Sequence, residues 1–318
     1  MLFLKRCAMI NETDKLKFIV NSAQLAAVLE VSSLKPGNVN PLHDFENTRY
    51  EHFLAGSISI GNAVFNAAIG GCSEGYNDKI GIGECIFHGV SDVKNSHNGG
   101  NTHMGILMLF IPIASACGIC ISENDLKFRD MQKNVSKILS LTTVDDSANL
   151  CSAIKLADAG GLGRVNEFDL NDENLKEELI KNNLNFYNLL KLSANRDRIA
   201  QELTTGMEIT FEHARVIEKI YDETGGIFPA IVQAYLIILS KFPDTLIVRK
   251  CGAETAREVT AEASEVLELG GVFTKKGRVA IENFDKHLRE NGNRLNPGTT
   301  ADIVAASLFI ALLNGLEI

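Results

Sequence analysis

The chain of 318 residues is long enough for one large domain or two ordinary ones, and its make-up, 45% hydrophobic and 22% charged, is that of a globular protein. A net charge of −9, from 31 basic against 40 acidic residues, argues against nucleic-acid or anionic-membrane partners, which need a basic face. Seven cysteines, an odd number scattered along the chain, do not read as a disulfide framework, so a reducing cytoplasm is the expected compartment.

Residues 1–12 read as a disordered lead-in: two basic residues, no apolar stretch of signal-peptide length and no small-residue cleavage site. From residue 13 to 318 helical periodicity dominates and no linker intervenes, so one all-α, multi-helix domain is predicted. Thr13–Val31 carries Leu16, Ile19, Val20, Ala23 and Ala27 at helical spacing and stops before Lys35-Pro36-Gly37-Asn38. A polar loop with His43, Asp44 and Glu46 precedes a single helix over Tyr50–Ile69, rich in small residues. A shorter helix is expected at Gly81–Val90. Asn98-Gly99-Gly100-Asn101-Thr102-His103-Met104-Gly105 then opens into an uncharged run ending at Ile121. Thr102 is the natural N-cap there, leaving a helix N-terminus suited to an anion.

Met104–Ile121 reaches the lower limit of a membrane span, but Pro112, two glycines and the absence of an aromatic belt favour a buried central helix. Its Cys117 and Cys120 read as core thiols. Further helices are expected at Leu126–Leu141, from the Thr143 cap to Ala157, and at Asn185–Leu203, Glu208–Thr224, Phe228–Lys241, Gly252–Leu269, Lys275–Arg289 and Thr299–Leu313. Gly160-Gly161-Leu162-Gly163 breaks the pattern without the spacing of a nucleotide fingerprint, and Asn171–Lys181 reads as a solvated, charged face.

Polar residues gather in four inter-helix segments. These are Glu30 to Asn38 with His43 and Asp44 beyond it, the turn at Asn101-Thr102-His103, Asp244 to Gly252, and Asn296 to Asp302. Helix N-termini with Lys35 and Arg249 would suit a polyphosphate; Glu30, Asp44 and Asp302 would suit a magnesium ion or a general base. Each residue also has a structural role open to it: Asp244 and Thr299 as caps, His103 as a satisfied core histidine, Arg249 in a surface ion pair.

At these segments the sequence resembles the triphosphoribosyl-dephospho-CoA synthase family. The signatures are E-V-x-x-x-K-P-G-x-V (Glu30–Val39), G-x-N-T-H-x-G (Gly99–Gly105), D-T-L-x-x-R (Asp244–Arg249) closing on Gly252, and N-P-G-[ST]-T-A-D (Asn296–Asp302), in the family's order. The resemblance implies an all-α enzyme that moves the 5-triphosphoribosyl group of ATP to the 2′-hydroxyl of 3′-dephospho-CoA and releases adenine, with Mg2+ accompanying ATP. It implies catalytic roles for Glu30, His43, Asp44 and His103. Asp44 or Glu30 would be the base, His103 a donor near adenine or phosphate, and Asp44 also a metal ligand. ATP would be bound by Lys35, Gly37, Asn38, Asn101, Thr102, Gly105, Asp244, Thr245, Arg249, Asn296, Gly298, Thr299 and Asp302. Met104 stands where citrate-lyase-type members carry lysine, and the first loop reads His43-Asp44-Phe45, as in a broader branch frequent in archaea. Two alternatives stay open: the same chemistry on another alcohol, or a catalytically silent nucleotide binder. Homodimerisation is compatible with the small-residue helix faces.

Overall fold

The structure, a computed structural model, describes residues 12–73, 80–123, 128, 130–158 and 175–318. Residues 1–11 of the expected lead-in, the Gly160–Gly163 break, the start of the charged stretch at Asn171 and the expected helix start at Leu126 lie outside them. Among the described residues every regular element is helical, beside two isolated bridges, Asn40 with His43 and Phe45 with Thr48. The helices are α1 (Glu12–Ser32), α2 (Tyr50–Ser59), α3 (Gly61–Cys72), α4 (Ile82–Ser96), α5 (Met104–Ser122), α6 (Met131–Ser140), α7 (Val144–Ala157) and α8 (Leu175–Lys181). They continue with α9 (Phe186–Lys191), α10 (Arg198–Thr204), α11 (Glu208–Thr224), α12 (Ile227–Lys241), α13 (Thr245–Cys251), α14 (Ala253–Glu268), α15 (Lys275–Arg289) and α16 (Gly298–Leu313).

Helix α5 is apolar on every side because every side is covered: all its residues but Gly105 and Ser122 are buried. By length and composition Tyr50–Cys72 and Met104–Ser122 could each cross a bilayer; here the second is enclosed by the chain itself. Helix α3 lies against α5 at a distance that only glycine allows. A Cβ on Gly71 would sit 2.0 Å from the Ser115 carbonyl oxygen, and one on Gly118 2.0 Å from that of Ala68. Helix α16, buried except at Gly298 and Asp302, packs on the other side of α5, with the Phe110 and Phe309 rings 4.7 Å apart. The two buried helices therefore start side by side: a Cβ on Gly105 would meet the Asp302 carboxylate at 2.0 Å.

Several boundaries differ from the sequence expectation. The helix expected over Tyr50–Ile69 is two helices, α2 and α3, divided at Ile60. Gln24 Nε2 donates to the Ile58 carbonyl at 2.6 Å, an acceptor that a continuous helix would use internally, and Ser57 and Ser59 bond back to Phe53 and Ala55. Asn185–Leu203 likewise divides into α9 and α10, because it holds two N-caps: Asn185 accepts from the Asn188 N–H and Asp197 from that of Ala200. Helix α4 runs on to Ser96. Helix α5 starts at Met104, one turn position later than a Thr102 cap requires. Asn101 Oδ1 accepts the Met104 N–H at 3.2 Å, while the Thr102 hydroxyl is held elsewhere. Thr143 caps α7, with Asp146 completing a capping box.

Candidate active site

Where α5 and α16 begin, the chain encloses a cavity of about 760 Å3, within the range of small-molecule sites. Of the residues singled out from the sequence, Glu30, Asn38, Asn101, Thr102, Gly105, Arg249, Asn296, Gly298, Thr299 and Asp302 line it. Segments far apart in the chain thus share one wall. The lining also includes the apolar side chains of Phe45, Phe53, Ile106, Met108, Leu150 and Leu190.

Asp244 and Thr245 lie behind that wall and set its geometry. The buried Asp244 carboxylate accepts from the Leu246 and Ile247 N–H groups through Oδ1, and from the Thr300 N–H (2.7 Å) and hydroxyl (2.8 Å) through Oδ2. One side chain caps α13 and clamps it to the first turn of α16. Burial raises the Asp244 pKa, and the Thr300 and backbone donors pull it back down. Thr245 Oγ1 adds a 3.2 Å bond to Thr299 Oγ1 and accepts from the Arg198 N–H, which joins α10 to the same corner. Thr299 is not the N-cap of α16; Pro297 holds that position.

Lys35, expected as a phosphate clamp, is 1% exposed and absent from the cavity wall. Its ammonium pairs with the Glu30 carboxylate at 3.0 Å and donates to the Glu30 and Ser33 carbonyls. Burial raises Glu30 and lowers Lys35, each opposed by its partner's charge. Gly37 and Asn38 form the turn that seats this pair. At Gly37 φ is +75°, its N–H donates to Asp285, a Cβ there would lie 2.9 Å from Leu288, and Arg289 donates to the Asn38 carbonyl.

His43 and Asp44 stand outside the cavity, on the exposed loop before α2. Asp44 Oδ1 accepts the Tyr50 N–H at 2.8 Å, and His43 lies 3.9 Å from Asp285. Asp44 thus serves the start of α2. Among the described residues no group of three or more His, Cys, Asp or Glu side chains is arranged to hold a metal ion.

His103 is 1% exposed and absent from the main cavity's wall; with His97 and Thr102 it lines a smaller cavity of about 160 Å3. Its Nδ1 lies 2.7 Å from Thr102 Oγ1 and its Nε2 3.0 Å from Ser57 Oγ, so neither ring nitrogen is left for adenine. Burial, with His97 adding to it, depresses its pKa to about 3. The clearance comes from α2: a Cβ on Gly56 would be 2.4 Å from His103 Nδ1.

Two features escaped the sequence reading. Asp197 lies in Asn195–Ala200, a segment shared with the broader branch of the family, and has no role assigned from the sequence. Its Oδ1 caps α10 and its Oδ2 accepts from Arg249 Nη1 at 2.8 Å, which aims the guanidinium along the cavity wall. His52 and His97, 45 positions apart, stack at 5.1 Å beside the Thr102–His103 pair, a proximity that spacing alone does not encode. Two residues of the wall each carry a buried polar atom without a partner among the described residues: Arg249 Nε, a donor, and Asn296 Oδ1, an acceptor. Asp302 has no hydrogen bond among the described residues. Burial and the Glu30, Asp244 and Asp197 carboxylates raise its pKa well above the usual carboxylate range, against the opposing charge of Arg249. Charged groups on the described part of the wall number three cations (Arg196, Arg249, Lys250) and four carboxylates (Glu30, Asp158, Asp197, Asp302).

The sequence matches the family described as ATP:dephospho-CoA triphosphoribosyl transferase over residues 17–317. It is 25% identical over 224 residues to the 2-(5''-triphosphoribosyl)-3'-dephosphocoenzyme-A synthase of Klebsiella pneumoniae, covering 70% of this chain and 64% of that protein. Over 88 residues it is 35% identical to a candidate synthase of the same kind from Pseudomonas syringae pv. syringae (strain B728a), 28% of each chain. The matched segments thus span less than two thirds of these relatives' own length. The fold resembles the crystal structure of a candidate triphosphoribosyl-dephospho-CoA synthase from Archaeoglobus fulgidus, with a TM-score of 0.60, 25% identity, and coverage of 83% of this chain and all of the other.

Proposed function

The chain belongs to the ATP:dephospho-CoA triphosphoribosyl transferase family, and we propose that it transfers the 5-triphosphoribosyl group of ATP to a hydroxyl of 3′-dephospho-CoA, releasing adenine. The observation that carries this reading is the meeting of four separate sequence segments on one cavity, lined by Arg249 and by the carboxyl-bearing Glu30 and Asp302. In the reaction the bond from C1′ of ATP's ribose to adenine breaks and a bond from C1′ to the acceptor oxygen forms. The hydroxyl proton must leave and adenine must gain one.

Two cavity carboxylates in unlike surroundings divide that work. Glu30, with the Lys35 ammonium 3.0 Å away, is the one favoured as carboxylate; it takes the hydroxyl proton and stabilises positive charge at C1′. Asp302, among like charges and without a hydrogen bond, is the one favoured as the acid; it protonates departing adenine. Arg249, oriented by Asp197, binds the phosphates through its guanidinium. With Asp302 protonated, the three cations of the described wall are matched by three carboxylates, so the triphosphate would still need Mg2+ to neutralise its charge. The ion would travel on the phosphates and would supply charge neutralisation there, since no cluster of side chains among the described residues is arranged to hold it. The apolar lining, Met108 included, suits the pantetheine arm of the acceptor.

The test is adenine release from Mg-ATP, followed by chromatography, with and without dephospho-CoA. Release that requires dephospho-CoA is the expected result. Release stimulated only by other alcohols would move the acceptor, and ATP binding with no release under any condition would replace the enzyme by a nucleotide-binding protein.

A further inference from the structure

One cluster at the cavity is left unused by this chemistry: His97, Thr102, His103 and Ser57, of which only Thr102 reaches the main cavity. Its hydrogen bonds can be given a direction from both ends. The Gly99 N–H can only donate, and it donates to His97 Nδ1 at 3.1 Å. In a neutral ring the proton then sits on Nε2, which lies 3.2 Å from Thr102 Oγ1. From the other end, the Phe53 carbonyl can only accept, and takes the Ser57 hydroxyl proton at 2.7 Å. Ser57 Oγ therefore accepts from His103 Nε2–H, which leaves His103 Nδ1 as an acceptor. The two directions meet at the 2.7 Å bond between Thr102 Oγ1 and His103 Nδ1, where they agree: Thr102 donates its only proton to His103.

We infer that this one-way chain makes Thr102 an obligate hydrogen-bond acceptor at the cavity wall, a positioning and specificity element that reads a single N–H or O–H donor on the bound nucleotide. The hydroxyl proton is committed to His103 and one lone pair to His97, so one lone pair remains for the ligand. A phosphate oxygen or ring nitrogen, themselves acceptors, gains nothing there. An amino group or a ribose hydroxyl does. Gly56 and Gly99 support the arrangement, since a Cβ on either would strike His103 or His52 at 2.4 Å and 2.2 Å.

The inference rests on the nucleotide reading of the cavity, and two measurements keep their failures apart. First, nitrogen spectra of the histidine-labelled protein without ligand should show His103 as the neutral Nε2–H form between about pH 5 and pH 8, and His97 in the same tautomer wherever its ring is neutral. The other tautomer in either neutral ring, or titration of His103 in that range, overturns the chain whatever the protein binds. Second, calorimetry would compare ATP, 2′-deoxyATP, 3′-deoxyATP and the purine riboside triphosphate that lacks the amino group, on the unmodified protein and on Thr102→Val. Loss of one neutral bond should weaken ATP by about 2- to 10-fold in Thr102→Val. One of the three analogues should show that loss on the unmodified protein and no further loss on the variant. Thr102→Ser, which keeps the hydroxyl, should bind as the unmodified protein does. Losses that simply add for every analogue overturn the acceptor role. No ATP binding by the unmodified protein overturns the nucleotide reading itself, and this ligand with it.

Discussion

Burial and three neighbouring carboxylates act on Asp302 in one direction, so the folded chain keeps a proton there that the unfolded chain gives up near pH 3.9. A carboxyl whose folded pKa is raised contributes stability in full below the unfolded value and loses it as pH rises toward the folded one. Asp302→Asn should therefore flatten the fall in thermal midpoint above about pH 4, measured by calorimetry across pH 4 to 8. The same substitution should lower adenine release by about 100-fold or more, because the amide cannot donate a carboxyl proton, while ATP binding stays close to normal. Lys35 makes a contrasting case. Were it a phosphate clamp, Lys35→Met would raise KM and leave stability alone. As the buried partner of Glu30, its removal strands a charge, and a loss of about 3–5 kcal/mol in denaturant unfolding is expected. The cue in the sequence, a lysine before Pro-Gly, does not distinguish a side chain turned toward a ligand from one turned toward a carboxylate five residues back.

Among the elements, the pairing of α3 with α5 is set by backbone contact rather than side-chain bulk. Gly118→Ala would push a methyl into the Ala68 carbonyl, with backbone on both sides and no flexible end to yield. A loss of about 3 kcal/mol is expected by thermal or chemical unfolding. Gly225→Ala is the comparison. Its φ is +64° but nothing lies within 4 Å, so only the conformational term of about 1–2 kcal/mol should appear. Much at this scale was legible in the sequence: the apolar run from Met104 was readable as a buried helix, and Thr143 and Asp244 as caps. The divisions at Ile60 and around Leu192–Asp197 were not. Gln24 and Ile58 are 34 residues apart, and a side chain that takes a helix carbonyl from that distance leaves no local signature. The cavity shows the same limit. Its motifs marked the right segments, but which members face inward depends on pairings such as Lys35 with Glu30 and His103 with Ser57.

For the whole molecule, charge decides how the substrate arrives. The net charge is −9, and with Asp302 protonated the described cavity wall holds three carboxylates against three cations, no surplus to meet a triphosphate. A bare triphosphate meets repulsion that a divalent ion on its phosphates relieves. Chelating Mg2+ should weaken ATP binding by about 10-fold or more, read by calorimetry with and without chelator, and raising monovalent salt should restore part of the loss by screening. Unchanged affinity in the chelator would leave Arg249 and the helix N-termini as the whole phosphate site.

The enclosure of Lys35 also gives the protein a built-in reporter. An amine at 1% exposure, engaged by a carboxylate and two carbonyls, is shielded from acylating reagents as long as the chain stays folded. Labelling at Lys35, followed by peptide mass spectrometry, would then proceed only through opening of the turn at Pro36-Gly37. Its rate would time that opening directly, and a bound ligand that holds the turn closed would slow it.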